Sequence, residues 1–173
     1  MFNQIIKIKM KQIKTAILIL VATVSLNGCK KGKDGEPGKD GSSNVTSHTY
    51  SVSNWTDNST YWYTHLSVPE LTSDNINTAS VQVYFSNVSN NWQAMPFTYE
   101  ASTNYFMNYI TSIGQIEVDW EYNGVGSGSS PVTVYGGTSM FKVVVIPPAA
   151  KKANPNINLN DYNEVKKAFN LKD

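Results

Sequence analysis

Ile116, Val118, Trp120 and Tyr122 alternate with Gln115, Glu117, Asp119 and Glu121. A period of two sends the first set to one face and the second to the other, which predicts a half-buried strand of an antiparallel sheet. Val81, Val83 and Phe85 alternate with Ser80, Gln82 and Tyr84 in the same way. Tyr61–Val68 is rich in aromatic and β-branched side chains, which fit a pleated surface, and Pro69 ends it. Thr49–Ser53, Trp92–Tyr99 and Tyr105–Ile110 have the composition of further strands. Phe141–Ile146 is almost continuously apolar, so it is expected in the middle of a sheet, with Pro147-Pro148 stopping it. Pro131–Tyr135 and Ser139–Ile146 flank Gly136-Gly137, a spacing that predicts a hairpin. Asn123–Ser130 has the composition of a mobile loop.

The tail changes period. Leu159, Tyr162, Val165 and Phe169 fall at helical spacing, predicting one short helix over about 160–170 that packs its Tyr162/Val165/Phe169 face on a sheet. Asn160 or Asp161 is its expected N-cap. Glu164 stands where a capping box would place it, and Lys166 and Lys167 lie toward the end that favours cations. Roughly seven or eight short strands with this helix predict an all-β fold, an antiparallel two-sheet sandwich, immunoglobulin-like in the broad sense.

The N-terminal pattern is different. Lys7, Lys9, Lys11 and Lys14 precede an apolar run from Thr15 to Leu26. Basic residues followed by a short apolar stretch read as an export signal, and the run falls short of the ~20 residues that span a bilayer. A signal starting at Met10 has ordinary proportions, so Met10 is the expected start. Leu26-Asn27-Gly28-Cys29 then resembles a bacterial lipobox. The resemblance implies cleavage before Cys29, a thioether-linked diacylglycerol and an acylated new N-terminus. Several acyl chains at ~0.8 kcal/mol per buried CH₂ make such attachment effectively permanent. The expected division is therefore a signal at 1–28, a lipidated tether at 29–44 and one domain at 45–173. The location follows as the cell envelope, at the outer membrane.

Gly32, Gly35, Gly38 and Gly41 recur every third residue, with Lys33-Asp34, Glu36-Pro37 and Lys39-Asp40 between them. This resembles collagen-like Gly-X-Y repeats, in which glycine fits the crowded axis of a triple helix. Four glycines and one proline are too few to hold three chains together unaided. A solvated tether is the preferred reading, and a structural trimer the alternative. From Cys29 to Tyr50 such a chain stretches at most ~70 Å, with a typical excursion nearer ~25 Å.

Charge changes the picture of the domain. The net charge of +1 hides an asymmetry. The chain has no arginine, and no lysine stands between Lys39 and Lys142. That span carries Asp57, Glu70, Asp74, Glu100, Glu117, Asp119 and Glu121. An acidic body cannot release phosphate counterions, so nucleic acid is excluded as a partner. Cys29 is the only cysteine, which removes disulfides, a thiolate nucleophile and a zinc cage. Asn44-Val45-Thr46, Asn54-Trp55-Thr56, Asn58-Ser59-Thr60 and Asn87-Val88-Ser89 match the glycosylation sequon, as chance allows in a chain rich in Asn, Ser and Thr.

The stretches Phe141–Pro147 and Asp161–Val165 resemble the C-terminus of small exported lipoproteins of Gram-negative bacteria that carry short collagen-like runs. The resemblance implies an anchored envelope protein and carries over no activity or site residue.

Candidate chemistry is sparse. His48 and His65 stand seventeen residues apart with no metal-ligand spacing. No Gly-x-Ser-x-Gly elbow is present, and Gly124, Gly126 and Gly128 have no lysine or helix after them to cradle phosphate. Glu117, Asp119 and Glu121 share a strand face at intervals of ~6.5–7 Å. That ladder is first a solvated face. It also has the spacing of an inverting glycosidase pair and the hard oxygens that hold Ca²⁺. Trp55 and Trp92 stand among polar residues, where exposed rings would suit glycan binding. No cofactor is expected. The expectation is a lipid-anchored, non-enzymatic surface or interaction module, its partner a glycan or a protein. A glycan-binding or glycan-degrading accessory protein is the alternative.

Overall fold

The computed structural model describes residues 44–88, 91–99 and 104–172. The expected signal, Cys29 with its lipobox, and the glycine repeat lie outside them. In chain order the described residues form β1 (Thr46–Val52), β2 (Thr56–Asp57), β3 (Tyr61–Ser67), β4 (Ser80–Ser86), β5 (Gln93–Ala94), β6 (Phe97–Thr98), β7 (Tyr105–Ser112), β8 (Gln115–Tyr122), α1 (Pro131–Tyr135), β9 (Ser139–Ile146), α2 (Pro148–Ala153) and α3 (Tyr162–Phe169). The strands make two antiparallel sheets, a four-stranded one in the order β1-β9-β4-β5 and a five-stranded one in the order β2-β3-β8-β7-β6. This is the two-sheet arrangement that the alternation predicts.

The core lies between the sheets. Val83, Phe85, Phe141, Val143 and Val145 face Leu66, Met107, Ile116, Val118 and Trp120, all nearly or fully buried. Each such side chain contributes ~1.5–3 kcal/mol of transfer free energy, so this layer dominates the folding energetics. Trp120 stacks on Tyr105 with centroids 4.8 Å apart and planes 10° apart. β9 lies between β1 and β4, the central place its apolar run predicts.

Three expectations are corrected. Pro131–Tyr135 is helix, not the first strand of a hairpin. The Ser130 hydroxyl caps it by accepting from the Thr133 N–H, Pro131 opens it, and Gly136 closes it at φ 72. These terminal signals outweigh the β propensity of Val132, Thr133, Val134 and Tyr135. Trp92–Tyr99 is two short strands rather than one: β5 pairs in one sheet and β6 in the other, with Met95-Pro96 at the crossing. Pro96 has no N–H to continue a ladder. The expected single helix is one of three, because Pro148 also opens a helix after β9 ends.

The C-terminal helix α3 has the predicted buried face of Tyr162, Val165 and Phe169. It lies on Tyr84, Val144 and Ile146, so it covers the outer face of the four-stranded sheet. Eight residues are too few for a helix to persist alone in water, and this contact holds it. Asp161 is the N-cap, accepting from Asn163 N at 2.8 Å and Glu164 N at 3.4 Å. Glu164 does not close the expected box. Its carboxylate accepts from Asn158 N at 3.1 Å.

Candidate functional site

The two outer faces of the sandwich differ. That of the four-stranded sheet lies under α3, which makes a second apolar layer of Tyr84, Val144, Ile146, Ala150, Tyr162, Val165 and Phe169. On the five-stranded sheet, the register determines which side chains share the opposite face. Tyr61 pairs with Glu121 and Glu121 with Phe106; Tyr63 pairs with Asp119 and Asp119 with Asn108; His65 pairs with Glu117 and Glu117 with Ile110. Since Ile116, Val118 and Trp120 turn inward, this grid turns outward. Its centre is a column of carboxylates, with Tyr61, Tyr63 and His65 on one side and Phe106, Asn108 and Ile110 on the other.

The column is not uniformly solvated. Glu121 is exposed and Glu117 half-buried, but Asp119 retains only 4% of its accessible surface. Its cross-strand neighbours are Tyr63 and Asn108. Its Oδ1 is buried without a hydrogen-bond partner. Burial, first, and then the charges of Glu117 and Glu121 push its carboxyl up to about 6. Hydrogen bonding with Glu117 raises it further, while His65 pulls the other way. The expectation of a wholly solvated ladder therefore fails at its middle member, because strands on both sides crowd it.

His65 Nε2 lies 2.8 Å from Glu117 Oε2. The ring of Tyr63 stands 6.1 Å from that of Tyr61 at 59°, and 5.4 Å from that of His65 at 76°. The Tyr61 hydroxyl is held above its ordinary value by desolvation, with Asp119 and Glu117 adding negative charge beside it. At the Glu121 end, a cleft of about 350 Å³ is bordered by Thr98, Asn104, Phe106 and Tyr122.

Other sequence-marked residues lie elsewhere. Trp55 packs edge-on against Phe141 at 6.0 Å and 63°, with its indole Nε1 buried. Trp92 packs on Tyr162 at 5.7 Å, with the Lys142 ammonium 4.8 Å from its ring centroid. Neither ring is the freely exposed platform that their polar neighbours predict, although Trp92 also borders a cleft of about 430 Å³ with Tyr99, Tyr135, Asn87 and Asn91. His48 pairs separately with Glu70 at 2.6 Å. Among the described residues no group of three or more His, Cys, Asp or Glu side chains is placed to hold a metal ion, and no helix is long and apolar enough to cross a membrane.

Sequence reasoning missed two features. Lys142 is buried at 2% exposure and donates to the Tyr162 hydroxyl at 2.9 Å. A single lysine inside an apolar strand was the available signal. The loop 123–130 is pinned by aromatic side chains: Trp120 Nε1 donates to Ser129 O at 3.0 Å, Trp62 Nε1 to Gly128 O at 3.2 Å, and Ser129 N to the Tyr105 hydroxyl at 2.8 Å. Its composition predicts mobility, and these three bonds oppose it. Comparison with protein-family models, with curated proteins and with solved structures returns no match.

Proposed function

We propose that this chain is a lipid-anchored, non-enzymatic interaction module of the cell envelope. Cys29 carries the anchor, residues 29–44 hold the domain off the lipid, and the outer face of the five-stranded sheet, which no described helix covers, is its working surface. The observation that carries the reading is the contrast between the two outer faces. One is sealed by α3, while the other presents Tyr61, Tyr63 and His65 beside Glu121, Asp119 and Glu117. A face holding a buried carboxyl with an unpartnered oxygen is costly to fold, which is reasonable where a partner completes it.

A hydrolytic role has less support. Glycosidase carboxyls stand ~5–9.5 Å apart to admit the sugar or a water. Here Asp119 and Glu117 stand close enough for hydrogen bonding that raises the Asp119 proton affinity, nearer than that spacing. A glycan-binding role has one supporting feature, the cleft where Trp92, Tyr99 and Tyr135 meet Asn87 and Asn91.

Detergent phase separation of envelopes tests the anchor. The wild-type chain is expected in the detergent phase and a Cys29→Ser variant in the aqueous phase. Identical partition of the two would refute the lipid attachment. The expected mass of the mature N-terminus includes acylated Cys29.

A further inference from the structure

We infer that the outer face of β3, β8 and β7 is a binding site for a basic, extended peptide segment of a partner protein, which places lysine or arginine side chains on the Glu117–Asp119–Glu121 column. The inference deepens the proposed interaction role and identifies the chemistry of its partner.

The first argument is the unfilled acceptor. Asp119 is 4% exposed and its Oδ1 has no hydrogen-bond partner. A buried carboxyl oxygen left without a donor costs more than a hydrogen bond returns, unless something supplies one. The strand's alternation places this group on the outer face with Glu117 and Glu121, so a donor reaches it from that face once the side chains enclosing it move aside.

The second argument is charge. Facing Asp119 are Glu117 and Glu121 on its own strand, and Tyr61, Tyr63 and His65 on β3; β7 contributes the uncharged Asn108. His65 is the one basic group of this set, and it is paired with Glu117. No lysine or arginine occurs between Lys39 and Lys142, so none stands on any strand of this sheet. The column therefore receives no lysine or arginine from its own sheet. The raised proton affinity of Asp119 reflects the same deficit.

The third argument is geometry. Alternate residues of an extended chain repeat every ~6.6–6.8 Å, the interval between successive outward backbone positions on β8. A strand laid along β8 with basic side chains at every second position sets one beside each acid position, of which the exposed Glu121 is the most open. Tyr61 and Tyr63 lie one strand away, near enough for their rings to add cation–π contact with the same ammonium groups. A neutral sugar fits this face less well. Its hydroxyls would leave the charge uncompensated, and the rings at 59° and 76° to their neighbours present no common stacking plane.

The test uses the purified full-length chain and fluorescent peptides followed by anisotropy. One peptide has three lysines alternating with threonine; a second has the same three lysines in a block; a third is all threonine. The alternating peptide is expected to bind, the block peptide at least ~5-fold more weakly, and the neutral one not at all. Asp119→Asn and, separately, the exposed Glu121→Gln are each expected to weaken the alternating peptide, Asp119→Asn by ~10-fold or more, as removal of one partner of a desolvated charge pair does. Affinity should fall with added salt, and again as pH drops from 7.5 to 5 and Asp119 takes up its proton. Equal binding of alternating and block peptides would overturn the site, as would indifference to Asp119→Asn. A neutral oligosaccharide that binds and is lost in Asp119→Asn would overturn the partner class. None of these outcomes depends on Cys29, so failure here is separable from failure of the anchor.

Discussion

Asp119→Asn should make the protein more stable at neutral and alkaline pH, although it deletes a residue at the heart of the candidate site. The carboxyl sits at about 6 in the fold against an ordinary value of 3.8. Between those values the folded state binds more protons than the unfolded chain, so this group's contribution falls as pH rises and is lowest above about 6. The difference corresponds to ~3 kcal/mol at most, because one pH unit is ~1.4 kcal/mol. Asparagine keeps the shape and removes the charge. Its oxygen inherits the position without a partner and retains ~1 kcal/mol of cost. The expected net gain is about 1–2 kcal/mol at pH 8, shrinking toward zero near pH 4. Urea denaturation followed by tryptophan fluorescence at pH 4, 6 and 8 measures it. Subtracting the variant's profile from the wild type's cancels the carboxyls that do not interact with Asp119, leaving its own titration and its coupling to Glu117 and Glu121. A flat difference across this range, or a variant less stable at pH 8, would refute the burial argument.

Three further outcomes are expected. Gly128 has φ +65, and an added Cβ would meet Tyr122 Cγ at 2.7 Å, so Gly128→Ala should cost about 2–3 kcal/mol. Its thermal midpoint should fall accordingly, with altered emission from Trp62 and Trp120, which the loop 123–130 binds. Asp161→Ala removes the cap of α3 and should cost ~1 kcal/mol in urea, with little change in the binding of basic peptide to the opposite face. Lys142→Ala should cost ~2–4 kcal/mol by opening a cavity beneath α3, whereas Lys142→Met, which keeps the stem, should cost under half of that. Equal losses in the two Lys142 variants would place the stabilisation in the ammonium contacts to Tyr162 and Trp92 instead.

The period of two in Gln115–Tyr122 correctly predicts a strand and its inner and outer faces, because alternation needs only the local pleat. The same holds for the helical period of Tyr162, Val165 and Phe169, since one turn of helix brings them together without long-range contacts. Local composition failed where two local signals compete. Val132–Tyr135 carries both β-branched side chains and a Ser-Pro start, and the caps prevailed. The acidic column was visible in the sequence as three carboxylates on one face. Its meaning was not. Asp119 is buried because β3 and β7 flank β8 at one register, and the pairing of β3 with β8 joins residues 48 to 60 positions apart. No local pattern encodes that choice.

Sequence alone thus determined the strand faces, the buried stripe of the C-terminal helix and the acidity of the domain body. These follow from side-chain periodicity and charge count. Tertiary structure decided which outer face is covered, and where Trp55 and Trp92 are packed. It also decided which acid lost its water, because desolvation is set by neighbours that meet only when the sheet assembles.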